Sequence, residues 1–247
     1  MAESTIKEIA RLILDSKHMI ALTGAGISKE SNVPTFRGED GLWREYDAME
    51  LATPHAFGSN PKLVWEWYSW RQGLIGDCSP NPAHKTLAKW ETERLLKSVI
   101  TQNVDGLHYR AGSRKIMEVH GDLWAVKCTS CDYRGRLDSP AGGIPSCPEC
   151  GANLRPDVVW FGENLDPSLM TDVYSELRRA DVCLVIGTSA LVQPAASFPL
   201  TVKRNGGAVI EINVEATPLT PHVDHHLRGK AGEVLPKIDQ HLQQLGE

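Results

Sequence analysis

The chain has 247 residues, 41% of them hydrophobic and 23% charged, with a formal net charge of −5. That length buries an ordinary core without disulfide staples, and the mild acidity argues against a duplex-DNA binder, which would gather Lys and Arg into a basic footprint. No apolar run reaches the ~20 residues that cross a bilayer.

The opening residues MAESTIKEIARLILDS carry Glu3 and Glu8 and read as an amphipathic helix, with neither a basic leader nor a cleavage site. A cytoplasmic protein is expected. Next comes an apolar run, Met19–Thr23, ending in Gly24-Ala25-Gly26 as a dinucleotide-binding strand and turn would. The third glycine of that pattern is missing, because Ser28-Lys29-Glu30 stands in its place, and a polar loop with Pro34, Phe36 and Arg37 follows. Alone, the turn is as readily a plain tight turn. Helical spacing runs over 61–75 and 82–96, then a short run Ser98–Thr101 precedes Gln102-Asn103-Val104-Asp105. After a helix over 168–180, Val182–Ile186 ends in Gly187-Thr188-Ser189. A helix over 195–204, the run Ala208–Ile212 before Asn213-Val214-Glu215, and a helix over 231–246 complete the series. Apolar strands alternating with helices predict an α/β fold with a Rossmann-like parallel sheet, whose polar turns converge on one crevice beyond the strand ends.

Residues 127–155 break the rhythm and read as a small inserted module, leaving 1–126 and 156–247 as the sheet domain. Cys128-x2-Cys131 and Cys147-x2-Cys150, fifteen residues apart, have the spacing of a four-thiolate zinc ribbon with one structural Zn2+. Disulfides or redox-active pairs are the other readings of such spacing. Cys183 lies in an apolar run and is expected to be a buried thiol, and Cys78 a free thiol in a loop.

Small and hydroxyl residues at the strand ends let backbone N–H groups approach a pyrophosphate, and Glu215 offers a carboxylate for ribose hydroxyls. Arg37 supplies a cation for phosphates, unless it is a solvated loop charge. The cluster Gln102–Asp105 suits a carboxamide and a ribose, and His120 has an imidazole able to exchange protons near neutrality. A lone His before Gly is also a common structural residue.

These segments together resemble the sirtuin family of NAD-dependent protein lysine deacylases. The resemblance is carried by GAGISKESNVPTFRG (24–38), TQNVDGLH (101–108), His120-Gly121, the two cysteine pairs, VVWFGE (158–163), GTS (187–189) and NVE (213–215), in family order. It implies NAD as co-substrate and acylated-lysine proteins as substrates. Gly24, Ala25, Gly26, Gly187, Thr188 and Ser189 would meet phosphates or ribose, with Asn213, Val214 and Glu215 toward the adenosine half. The segment from Ser28 to Trp43 resembles the family's cofactor-binding loop, placing Phe36 and Arg37 at the nicotinamide-side ribose. Gln102, Asn103, Val104 and Asp105 would hold nicotinamide and its ribose, and His120 matches the catalytic base. The implied chemistry is attack of the acyl oxygen on the ribose as nicotinamide leaves, then transfer of the acyl group to give O-acyl-ADP-ribose.

In WEWYSWRQ (65–72), Tyr68 and Arg71 are helical neighbours, and a tyrosine hydroxyl beside a guanidinium makes a carboxylate receptor. Periodicity alone favours a helix whose aromatics are core while Arg71 faces water. Tyr-x-x-Arg here resembles the class III branch, which removes succinyl and malonyl groups, with Ala48 and Ala52 aligned to its small pocket residues. Ala231 is a further cofactor candidate, standing where some relatives have cysteine. His222, His225 and His226 read as a polar loop. Other readings are a deacetylase without acidic-acyl preference, a mono-ADP-ribosyltransferase, or a zinc-ribbon binding module on an α/β scaffold. A monomer without membrane or nucleic-acid partners is expected.

Overall fold

The computed structural model describes residues 3–33 and 51–246. Among these, a six-stranded parallel sheet has the order β3-β2-β1-β7-β8-β9. Its strands are β1 (Met19–Thr23), β2 (Leu96–Thr101), β3 (Ile116–Glu118), β7 (Val182–Ile186), β8 (Ala208–Asn213) and β9 (His225–Arg228). A separate antiparallel sheet, β5-β4-β6, comprises β4 (Gly121–Cys128), β5 (Arg134–Arg136) and β6 (Leu154–Val158). The pairing that carries the cysteine knuckles therefore begins at Gly121, one residue after His120.

The long apolar runs are central strands because both faces are covered. On one face Met19, Ala21, Val99, Leu184 and Ile210 meet α1 (Glu3–Asp15), α5 (Pro82–Thr92) and α9 (Ala231–Gly246). On the other, Ile20, Leu22, Ile100, Cys183 and Val209 meet α7 (Pro167–Arg179) and α8 (Phe198–Arg204). Cys183 is fully buried there, and burial pushes its thiol up to about 12. A third core joins α3 (Pro54–Ser59) and α4 (Pro61–Gly76) to the small sheet through Trp65, Trp67, Tyr68, Leu123 and Trp160. Between the elements lie the short helices α2 (Ala25–Ser28) and α6 (Leu107–Ala111). Among the described residues no helix is long and apolar enough to cross a membrane.

Two local expectations change and a third gains detail. The helix expected over 82–96 ends at Thr92; Arg94 turns at φ +65, and the chain enters β2 at Leu96. His225 and His226 belong to edge strand β9, not to a loop, while His222 ends a 3-10 turn. Cys78 is the free loop thiol expected, following α4 outside regular structure; it is also buried, at 7% exposure, and burial raises its thiol pKa.

Candidate active site at the strand ends

The parallel register sets Thr23 of β1 beside Thr101 of β2 and Ile186 of β7, so the turns that follow meet. Gly24 N donates to Ile186 O at 3.0 Å and Gly26 N to Gly187 O at 2.7 Å. A Cβ on Gly26 would sit 2.7 Å from Gly187 Cα, and Gly187 itself has φ +59, so both positions demand glycine. Thr188, at the same strand end, is buried, and its hydroxyl accepts Gln102 Nε2 at 3.0 Å. Asn213 Nδ2 donates to Thr188 O at 2.9 Å, which brings the end of β8 into the group. Ser189, Val214 and Glu215 are exposed at its rim.

Ser28 Oγ is the hub of the buried part. It donates to Asp105 Oδ2 at 2.7 Å and accepts Asn103 Nδ2 at 3.2 Å, while His84 Nε2 lies 3.4 Å away. Asn103 Nδ2 also reaches Gly24 O at 3.1 Å. Because the serine proton is committed to Asp105, the neutral His84 must carry its proton on Nε2. Asp105 is 4% exposed; burial raises its pKa, opposed by the N–H of Leu107 at 2.8 Å and the Ser28 hydroxyl. Burial takes His84 down to about 4. His108, whose Nε2 is 2.9 Å from Thr23 Oγ1, is lowered well below its usual value by burial and by His84. Asn81 caps α5 by accepting Ala83 N at 2.9 Å, and its amide donates to Ile27 O at 2.7 Å, locking the α2 turn against that helix.

His120 stands where β3 gives way to β4. Gly121, at φ +83, leaves no room for a side chain: a Cβ there would come within 2.1 Å of Asp157 O. The ring Nδ1 lies 3.1 Å from Gln102 O. A carbonyl only accepts, so Nδ1 holds the proton and Nε2 keeps a free lone pair. Burial lowers the His120 pKa, partly offset by that carbonyl. The ring is thus neutral at pH 7 and its Nε2 is a base. Nearby Glu118 is pushed up to about 7 by burial and by Asp122.

The segment after β6 connects the His120 backbone to the α4 helix. Val159 N donates to His120 O at 3.0 Å, Trp160 Nε1 to Tyr68 Oη at 2.8 Å, and Phe161 N to Ala52 O at 2.9 Å. Tyr68 is 1% exposed, and burial raises its hydroxyl pKa. Arg71 is 5% exposed, so the water-facing alternative fails; its guanidinium sits 4.8 Å from the Trp67 ring centre and 5.7 Å from that of Tyr68. Burial lowers its pKa. Val104 O accepts Leu123 N at 2.9 Å, tying the Gln102–Asp105 turn to β4. Ala231 is buried at the start of α9, where Gly232 N donates to Glu30 Oε2 at 2.7 Å. Phe36, Arg37, Trp43 and Ala48 lie outside the described residues.

The Sγ atoms of Cys128, Cys131, Cys147 and Cys150 all lie within 4.8 Å of one another, with Cys128–Cys150 at 3.4 Å and Cys131–Cys147 at 3.6 Å. A tetrahedral zinc with ~2.3 Å bonds to sulfur needs sulfurs ~3.8 Å apart, so the thiolates fit. Four protein ligands close the coordination sphere, which makes such an ion structural. All four cysteines are free of disulfides.

Sequence reading missed His84, and it held His108 and Trp160 only as parts of TQNVDGLH and VVWFGE, without a role of their own. Their partners are 56, 85 and 92 residues away along the chain, and no local spacing signals such contacts.

A family model described as the Sir2 family matches residues 24–194. The NAD-dependent protein deacylase of Pyrococcus furiosus is 53% identical over 247 residues, covering 97% of this chain and 99% of that protein. NAD-dependent protein deacylase 1 of Archaeoglobus fulgidus is 51% identical over 239 residues, covering 96% and 98%. A solved Sir2 homologue–NAD complex shares 50% identity, covers 98% of this chain and 95% of its own, and superposes with a TM-score of 0.93. A mutant Sir2 homologue with 2′-O-acetyl ADP ribose superposes at 0.91, with 51% identity and coverage of 99% and 98%.

Proposed function

The chain belongs to the Sir2 family, and from that premise we propose that it is an NAD-dependent protein deacylase that removes succinyl and malonyl groups from lysine in preference to acetyl. NAD is the co-substrate: when bound, it supplies a ribose carbon that accepts the acyl oxygen as nicotinamide leaves, and it carries the acyl group away as O-acyl-ADP-ribose.

The roles of the chain's own residues follow from their surroundings. Gly24, Ala25, Gly26, Thr188 and Ser189 form the narrow turn that admits phosphates, with Ser28 behind it holding Asp105. Asn103 and Asp105, fixed by that serine and by backbone, face the nicotinamide-side ribose, with Gln102 and Val104 on the same turn. Asn213, Val214 and Glu215 take the adenosine half. His120 takes a proton from a ribose hydroxyl on Nε2, the only ring nitrogen left free by the Gln102 carbonyl.

The acidic-acyl preference rests on one observation. Val159 N donates to the backbone carbonyl of His120, and the indole Nε1 of the next residue, Trp160, donates to Tyr68 Oη. These two bonds tie the Tyr68–Arg71 pair to the backbone that carries the base, in a buried setting where a guanidinium attracts a carboxylate strongly. Tyr68 accepts from Trp160 and keeps its own proton to donate. Peptides carrying acetyl-, malonyl-, succinyl- or glutaryl-lysine, incubated with NAD and read by mass, test the proposal. Acidic acyl groups leaving fastest, together with nicotinamide and the matching O-acyl-ADP-ribose, is the expected result. Nicotinamide release with ADP-ribose fixed on protein would favour ADP-ribosyl transfer instead, and a higher rate on acetyl-lysine would refute the preference.

A further inference from the structure

Glu211 is a carboxylate in the middle of a central strand, 1% exposed, in a run of otherwise apolar residues. A buried carboxylate is costly unless its oxygens are bonded, and here both are. Oε1 accepts the Thr217 hydroxyl and Oε2 the Thr220 hydroxyl, each at 2.5 Å. The two hydroxyls also accept backbone N–H groups of their own loop, Leu219 N onto Thr217 Oγ1 at 3.1 Å and Thr217 N onto Thr220 Oγ1 at 2.8 Å. Each threonine proton is therefore committed to the carboxylate. His226 Nε2, on the neighbouring strand, lies 3.9 Å from Oε2. Leu219, between the two threonines, is buried against the α7–α8 side of the sheet.

The geometry points to Glu211 as a positioning residue for the adenosine half of NAD. Two residues past it the strand ends at Asn213, and the loop pinned by Thr217 and Thr220 begins with Val214 and Glu215. Asn213 in turn holds Thr188 O at 2.9 Å. The carboxylate thus sets the conformation of the turn from below without touching the ligand. This inference rests on the assignment of Asn213–Glu215 to NAD.

Glu211→Gln keeps the shape but replaces one acceptor oxygen with an amide that donates, so one threonine hydroxyl loses its partner. Thr220→Val removes the other end of the same bond and leaves Glu211 in place. In both variants KM for NAD and Kd for ADP-ribose should rise about tenfold, equivalent to about 1.4 kcal/mol. Meanwhile kcat at saturating NAD and KM for acyl-peptide should stay within about twofold. Wild-type protein that binds ADP-ribose while Thr220→Val binds it equally well would overturn the positioning role alone. So would parallel shifts in KM for NAD, KM for peptide and kcat, which signal general distortion. Wild-type protein with no affinity for ADP-ribose would overturn the NAD assignment and this inference with it.

Discussion

Arg71→Met separates a carboxylate receptor from a packing residue, because the two roles respond to the change in opposite ways. The guanidinium is 5% exposed and lies over Trp67 at 4.8 Å. In the fold, Met loses a cation–π contact worth about 1–2 kcal/mol but gains a sulfur–aromatic contact of about 0.3–1.5 kcal/mol and removes a buried charge. Each ~1 kcal/mol of net change shifts Tm by about 2–4 °C for a domain of this size. On the substrate, the lost interaction is a charge-assisted hydrogen bond to the acyl carboxylate, about 1.5–3 kcal/mol. That is a fall of roughly 10- to 150-fold in kcat/KM for succinyl-lysine. Acetyl-lysine has no carboxylate there, so its kcat/KM should change by less than about threefold. Initial rates on both peptides at saturating NAD, with a thermal melt of the same preparation, measure all three quantities. Equal losses on both peptides with an unchanged melt would refute carboxylate recognition.

His120→Ala should lower kcat by about 10²–10⁴-fold with the fold intact. Burial lowers the His120 pKa, so the wild-type pH–rate profile should keep its activity above that pKa and lose it as pH falls below 6.5; a limb centred above 7 would contradict the neutral base. Stability should also fall in acid through His84. Its folded pKa of about 4 lies below the unfolded 6.5, so the unfolded chain binds the extra proton between those values. The loss grows to roughly 3 kcal/mol by pH 4, and denaturant melts of His84→Gln, lacking that part of the slope, would measure it. Metal analysis should find one zinc per chain. Chelation, or Cys147→Ser, should release it and melt the small sheet first; zinc-free protein with an unchanged melt would remove the ion from the structure.

The central strands were legible because strands buried on both faces are near-continuous apolar runs, as Met19–Thr23 and Val182–Ile186 are and as Ala208–Ile212 is apart from Glu211. Edge strands escape that rule. His225–Arg228 has a single buried residue, Leu227, and its polar composition reads as a loop until the pairing with β8 is seen. The overrun of the second long helix has the same character: Leu95 and Leu96 continue the apolar pattern, and only the left-handed turn at Arg94 ends it. Within the site, the glycine turns and the Gln102–Asp105 cluster could be read because strand ends are where open sheets place ligands. The burial of Arg71 could not, since it depends on the small sheet and Trp160 closing over α4. Glu211 did leave a trace: a lone carboxylate inside Val-Ile-Glu-Ile calls for partners, and Thr217 and Thr220 follow within nine residues.

On the proposed function the crevice faces a cationic transition state, and the titration of its buried groups bears on that task. Burial keeps His84 and His108 uncharged at neutral pH, so neither ring cancels a nearby carboxylate. Asp105 accepts from neutral donors, the Ser28 hydroxyl and the Leu107 N–H, and burial raises its pKa although those bonds and the Arg71 charge oppose the rise. On the proposed reading, positive charge develops on the ribose as nicotinamide departs, and Asp105 faces it. In a water-poor pocket that attraction is several times stronger than in solvent, and the donors are already oriented, so nothing reorganises as the bond breaks. A histidine that stayed protonated at position 84 or 108 would quench that field from behind. On that reading, the burial that depresses the pKa values of the two rings also preserves the field at Asp105.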